Sequence, residues 1–345
     1  MKYSFKNDYS EGCHPKILEK LSQFNDSQQN GYGEDEYSKN AEKLILEKCK
    51  SPTSKVFFVS GGTQANLLVI SAMLKPYESV ISAETGHIYS NETGAIENTG
   101  HKIHTIPKEN GKLAPEDILP ILETHTNFPH QVKPKLVYIS NSTELGTVYT
   151  KDELQNLSDF CKEKQLFLFM DGARLGQALT VENANLSLEN IAKLTDVFYI
   201  GGTKNGAMFG EAVVVNKPEL LEDFRFYMKQ KGGLLAKGRF IGIQFEALFE
   251  DELFSELAKN ANLQAQKIKK SFQENGFGFL AETASNQIFP VLKNSQIRIL
   301  ENHFDFYVWK KLDDEYSAIR LVTSWATQDK ITEKFCREIV NLKNK

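Results

Sequence analysis

The sequence predicts an α/β protein with a large domain built on a mostly parallel sheet and a smaller C-terminal α/β domain. Short β-rich apolar runs alternate with longer amphipathic stretches from residue 55 to about 215, the pattern of parallel strands joined by crossover helices. After Pro218 the pattern changes to long helical stretches, and after Gly276 to short strands alternating with helices. The length of 345 residues is more than one small core organises, so two or three domains are expected.

Taken in order, the expected strands of the large domain are KVFFV (55–59), SVIS (79–82), KIHTI (102–106), KLVYIS (135–140), LFLFM (166–170), DVFYI (196–200) and AVVV (212–215). Helical patterns fill 63–75, 115–124, 151–164 and 187–194 between them. Helical stretches then cover 218–230 and 240–274, separated by the Gly-rich KGG at 231–233. The strands FGFLAE, NQIFPVL and AIRLVTSW follow, and a last helix runs from about Gln328 to the end. This places a large domain at 1–242 and a small one at 243–345, with no internal repeat or low-complexity segment.

Composition narrows the function. Hydrophobic residues at 41% and charged residues at 25%, with 22 Gly and 10 Pro, are ordinary for globular proteins and exclude disordered or fibrous readings. The net charge of −4, with both signs interspersed, offers no field for nucleic acid. Cys13, Cys49, Cys161 and Cys336 lie far apart without a CxxC pair, which argues against a zinc site or disulfide framework and for a reducing compartment. His101 and His104, three apart in an expected strand, fall on opposite faces, so no metal site is expected. The N-terminal MKYSFKNDYSEG lacks an apolar core, and the run Leu166–Met170 is too short to span a bilayer, so a cytoplasmic protein without a membrane partner is expected.

In open α/β sheets ligands bind beyond the carboxyl ends of the strands, and three strand ends carry chemistry. SGGTQAN (60–66) follows KVFFV and opens a helix; Gly61 and Gly62 let backbone close on an anion, and Thr63 and the first-turn N–H groups can donate to phosphate. The competing reading is a plain turn with Thr63 as N-cap. Asp171 ends LFLFM, where a buried carboxylate needs a cationic or hydrogen-bonding partner: a protonated ring nitrogen, or simply Arg174. Lys204 follows DVFYI in the small-residue loop GGTKNGA, where desolvation frees an amine for Schiff-base chemistry; the competing reading is a solvated loop lysine. An anion cradle, an acid for a pyridine nitrogen and a lysine for an aldehyde are together what pyridoxal 5′-phosphate requires.

At these residues the chain resembles the fold-type-I pyridoxal-phosphate enzymes, most closely the L-threonine aldolase and β-eliminating lyase family. The likeness covers nearly the whole chain, through YGEDEY (32–37), SGGTQAN, ETGHIYSNETGA (84–95), MDGARLG, GGTKNG and IRLVTSW (319–325). The resemblance implies that Lys204 binds the cofactor aldehyde, that Asp171 contacts the ring nitrogen, that Gly62, Thr63 and Thr203 bind its phosphate, and that His87 stacks on its ring. Arg174 matches an arginine near the cofactor, and Arg320 one that clamps the substrate carboxylate, a task suited to a planar guanidinium. Tyr32, Glu92 and Asn7 match positions near the substrate. Three departures stand out. Glu144, in NSTELG, takes the place of a histidine near the substrate hydroxyl; Asn7 replaces a common serine; and Ala236 replaces an arginine that serves the phosphate, leaving Lys237 or Arg239 to substitute.

The implied activity is cleavage of a β-hydroxy-α-amino acid such as L-threonine or L-allo-threonine to glycine and an aldehyde, with His87 or Glu144 taking the hydroxyl proton. A β-eliminating lyase, and a non-catalytic binding protein on the same fold, are the alternatives. The family also implies a homo-oligomer, dimer or tetramer, with a small-molecule substrate and no nucleic-acid partner.

Overall fold

In the computed structural model, which describes residues 2–343, seven strands form one sheet in the order Lys55–Val59, Glu211–Val215, Val197–Gly201, Phe167–Asp171, Lys133–Ser140, Glu78–Ala83, Ile103–Ile106. Each expected strand of the large domain is present within two residues at either end. Glu211–Val215 runs against the direction of the other six strands. The link from Gly201 to Glu211 is too short for a crossover helix, so the chain folds back as a hairpin and inserts that strand between Lys55–Val59 and Val197–Gly201.

Side-chain alternation splits the sheet into two buried faces. Val137, Ile139, Leu168, Met170, Phe198 and Ile200 face one core; Leu136, Tyr138, Phe169, Val197 and Tyr199 face the other, against Ala65, Leu68 and Val69 of helix Gly62–Met73. Asp171 shares parity with Phe169, so its carboxylate lies on the face that carries the Tyr138 and Tyr199 hydroxyls. Phe169 sits between those two rings, with centroids 5.7 and 6.3 Å away. The loops after the central strands meet backbone to backbone: a Cβ on Gly172 would lie 1.8 Å from the Tyr199 carbonyl oxygen, and one on Gly201 2.4 Å from that of Ala173. Glycine at both positions lets the Asp171 and Lys204 loops touch.

The C-terminal region differs in several places from the pattern expected. The 240–274 stretch is two helices, Arg239–Phe249 and Leu253–Glu274, and 218–230 is a short 3₁₀ turn followed by helix Phe224–Gln230. FGFLAE is not a strand; it contributes a single bridge from Phe279 to Pro290. The small antiparallel sheet is built from Gln287–Ile288, Val291–Lys293, Tyr307–Lys311 and Tyr316–Val322. Residue 242 falls inside helix Arg239–Phe249, whose Ile241, Phe245 and Leu248 pack in the large core. The change of core comes within the next helix, where Leu253 and Leu257 face the large core and Ile268 and Phe272 the small one. The N-terminus also crosses over: Tyr3–Ser4 pairs with Phe304–Asp305, and Phe5 is buried in the small core 5.0 Å from the Phe335 ring. Among the described residues no helix is long and apolar enough to cross a membrane.

Candidate active site

The carboxyl ends of the parallel strands converge on a cluster of buried charged groups. Asp171 is buried, and its Oδ2 accepts from the Tyr138 hydroxyl at 2.6 Å and from Asn66 Nδ2 at 3.1 Å, while Oδ1 accepts from the Ala173 N–H at 2.9 Å. Burial alone raises a carboxyl; here bonds from the Tyr138 and Tyr199 hydroxyls and the Ala173 N–H outweigh it and hold Asp171 below the usual carboxylate range. An ionised acid that keeps its proton off at neutral pH suits the stabilisation of a cation in contact with it.

Lys204 lies partly buried on the neighbouring loop, and among the described residues its amine has no hydrogen-bond partner. Burial and the Arg174 guanidinium push the amine down, and Asp8, Asp171 and Glu211 offset this in part. This is the environment that frees an amine for nucleophilic chemistry. At the start of helix Gly62–Met73 no side chain caps the backbone, so the N–H groups of Gly62 and Thr63 point out of the helix without a protein acceptor among the described residues.

His87 opens the next wall. Its Nδ1 donates to Glu92 Oε1 at 2.8 Å, and its backbone N–H donates to Glu144 Oε1 at 3.0 Å. Asn66 Nδ2 also donates to Glu92 Oε1, at 2.7 Å, and so bridges Glu92 to Asp171. Because Nδ1 is spent on Glu92, the tautomer leaves Nε2 as the lone-pair nitrogen. Burial and the Asp171 charge push Glu144 up from the usual carboxylate range, against the Ser140 hydroxyl that donates to it at 2.7 Å. Glu92 Oε2 and Asn66 Oδ1 are buried without partners among the described residues.

Two arginines complete the cluster. Arg174 does not pair with Asp171; it forms a two-pronged ion pair with Asp8, Nε at 2.7 Å and Nη2 at 3.0 Å. Arg320 is held by Gln287 Oε1, 3.2 Å from Nε and 2.5 Å from Nη2, with the Trp309 ring centroid 5.3 Å away. Burial and the nearby Arg174 push it down to about 10, and nothing in the described chain neutralises it directly.

The structure thus brings Lys204, Asp171, Gly62, Thr63, His87, Glu92, Glu144, Arg174 and Arg320 to one place, and leaves others apart. Asn7 turns its carbonyl oxygen into its own loop, accepting from the Tyr9 N–H and the Ser10 hydroxyl; its neighbour Asp8 is the residue that enters the cluster. Thr203 spends its hydroxyl proton on Glu211 at 2.9 Å instead of offering it to an anion. Tyr32 is half-exposed with φ +62°, bonded to the Ala236 carbonyl beside a cavity of about 690 Å³ lined by Phe58, Met228 and Leu235. Arg239 is anchored to the carbonyls of Ser27 and Asn25. His101 is buried against the Glu78 carbonyl and His104 against the Ser79 hydroxyl, with the His125 ring centroid 4.4 Å from that of His104.

Sequence reading missed Asp8, Asn66, Tyr138, Tyr199, Glu211 and Gln287. The signal for two of them was available: Tyr138 and Tyr199 are hydroxyl-bearing residues on strands flanking Asp171, at positions whose alternation puts them on its face.

A family model described as β-eliminating lyase matches residues 12–295 of this chain. The low specificity L-threonine aldolase of Pseudomonas sp. (strain NCIMB 10558) is 32% identical over 343 residues, covering 97% of this chain and 96% of that protein. The Pseudomonas aeruginosa protein of the same name is 31% identical over 339 residues, with 97% and 96% covered. The solved structure of threonine aldolase from Leishmania major matches with a TM-score of 0.97 at 48% identity, over 99% of both chains.

Proposed function

The chain belongs to the β-eliminating lyase family, and we propose that it is a pyridoxal 5′-phosphate-dependent aldolase that cleaves a β-hydroxy-α-amino acid such as L-threonine to glycine and an aldehyde. The observation that carries the reading is the unpartnered amine of Lys204 on a loop packed against that of the ionised Asp171. These groups fit the cofactor: Lys204 would hold its aldehyde, Asp171 its ring nitrogen, the uncapped Gly62 and Thr63 N–H groups its phosphate, and His87 one face of its ring. When bound, pyridoxal 5′-phosphate supplies an electron sink for the pair left on Cα when the Cα–Cβ bond breaks.

The chain's own residues do the rest. Arg320, fixed by Gln287 and Trp309, binds the substrate carboxylate through parallel hydrogen bonds and so sets which bond at Cα faces the ring. His87 takes the proton of the substrate hydroxyl at Nε2, while Glu92 holds Nδ1 and stabilises the ring once it is cationic. Glu144 pins the His87 backbone and is the second group able to carry that proton. Arg174 keeps its charge because Asp8 pairs with it, and it faces Lys204 as a fixed cation.

A homo-oligomer, dimer or tetramer, and a cytoplasmic location belong to the same proposal. Tyr32 bonds to the Ala236 carbonyl and lines a cavity that none of the cluster residues lines, which suits a group that acts in a neighbouring copy. The four cysteines are free, which suits a reducing compartment.

The test is an assay of purified, cofactor-loaded protein with the four threonine isomers beside serine and cysteine derivatives. Glycine and acetaldehyde from a threonine isomer support the aldolase. Pyruvate without any aldehyde product identifies a β-eliminating enzyme instead. Light scattering that gives a stable monomer contradicts the oligomer.

A further inference from the structure

Glu211 is a buried carboxylate to which the proposed reaction assigns no task. It sits on strand Glu211–Val215, opposite Gly201 on one side and Val59 on the other. Its two oxygens are divided between consecutive residues of the facing loop. Oε2 accepts from the Gly202 N–H at 2.9 Å and Oε1 from the Thr203 hydroxyl at 2.9 Å, while Thr203 Oγ1 accepts from the Gly210 N–H at 3.0 Å. The next residue in the chain is Lys204. A carboxylate is retained in such a place only where hydrogen bonds and a cation compensate its lost hydration.

We propose that Glu211 is a positioning residue for Lys204: its carboxylate staples the Gly202–Thr203 turn, fixing the path by which the amine leaves the loop, and its charge sets how readily the nitrogen at 204 holds a proton. The inference rests on the reading of Lys204 as the amine that carries the cofactor aldehyde. The groups facing Lys204 are Arg174 from the loop after strand Phe167–Asp171, Asp171 from the end of that strand, Asp8 from the N-terminal segment, and Glu211. Those facing Glu211 are Lys204, Asp171 and the Tyr199 hydroxyl. Asp171 is held by three donors and Asp8 is held by Arg174, which leaves Glu211 as the carboxylate whose charge changes near neutral pH: burial pushes it up to about 7 against the pull of Lys204. Two groups so coupled release their protons in steps that belong to the pair.

Glu211→Gln removes the charge and keeps the shape, with its amide oxygen still able to accept from Gly202. Loaded with pyridoxal 5′-phosphate, the wild-type protein gives a visible absorbance band that titrates with pH. In Glu211→Gln that titration moves to lower pH by about one unit or more, because a missing anion makes the cationic nitrogen more acidic; Glu211→Asp, which keeps the charge, titrates close to wild type. A loaded, folded Glu211→Gln that titrates at the wild-type pH overturns the inference. A wild-type protein that forms no band with added pyridoxal 5′-phosphate overturns the reading of Lys204 and this inference with it. Should Glu211→Gln not fold, acylation of Lys204 in cofactor-free wild type, followed by peptide mass spectrometry across pH, carries the test. A profile broader than a single-site titration supports the pairing, and a single-site curve overturns it.

Discussion

Asp8→Asn probes the electrostatic frame of the cluster. Asp8 is fully buried, holds Arg174 through two bonds of 2.7 and 3.0 Å, and accepts a third from Asn286 at 2.9 Å. Neutralising it leaves the Arg174 guanidinium, with only 10% of its side chain exposed, without a counter-charge. Removing one partner of a buried pair costs about 3–5 kcal/mol, and the residual exposure of Arg174 favours the lower end. At roughly 2 °C per kcal/mol, the low end of the range for chains of 150–250 residues, the melting temperature falls by about 6 °C or more at neutral pH. The pH dependence has a definite sign. Burial pushes the Asp8 carboxyl up, but Arg174 and Lys204 outweigh it and hold it below the usual carboxylate range. A group whose folded pKa is depressed contributes fully above its unfolded pKa of about 3.9, and that contribution disappears as pH falls through the folded value. The wild type and Asp8→Asn therefore differ most near neutral pH and converge in acid. Scanning calorimetry on both proteins from neutral to about pH 3 checks this. Equal melting temperatures at neutral pH, or a gap that widens in acid, refute the reasoning.

Three further outcomes are expected. Arg320→Ala raises KM for the amino acid by roughly 10–150-fold, the loss of a charge-assisted hydrogen bond of about 1.5–3 kcal/mol, and an unchanged KM removes Arg320 from the substrate site. His87→Asn lowers kcat for aldol cleavage by about 10²–10⁴-fold while the cofactor stays bound; wild-type kcat transfers the proton to Glu144. Gly172→Ala forces a Cβ to within 1.8 Å of the Tyr199 carbonyl oxygen and costs more than about 4 kcal/mol, so soluble yield collapses; a soluble variant that melts like the wild type contradicts the close approach of the two loops.

The large sheet was legible because its strands are short, apolar and bounded by polar turns, as in KLVYIS and DVFYI, and because alternation then fixes which face each side chain takes. Helix Glu36–Cys49 escaped notice because its core positions, Ala41, Ile45 and Cys49, are spaced among lysines and glutamates that mask the apolar stripe. Strand Tyr307–Lys311 is exposed along its whole length and carries no burial signal to read. The site divides the same way. Lys204 and Asp171 announce themselves because a polar residue ends an apolar strand. Asp8 lies 166 residues from its partner Arg174, and Gln287 lies 33 from Arg320, and no local pattern marks either pairing. A pairing of Arg174 with Asp171 was one of two readings open in the sequence because the two are near neighbours, yet Asp171 turns to the Tyr138 and Tyr199 hydroxyls and leaves the guanidinium to an acid from the N-terminus.

The bond proposed between Lys204 and the cofactor aldehyde is covalent, and reduction traps it. The protein is loaded with pyridoxal 5′-phosphate, treated with borohydride, digested and read by mass spectrometry. A phosphopyridoxyl group is expected on the peptide containing Lys204 and is expected to be absent from Lys204→Ala. A label spread over surface lysines, or one that persists undiminished in Lys204→Ala, contradicts it.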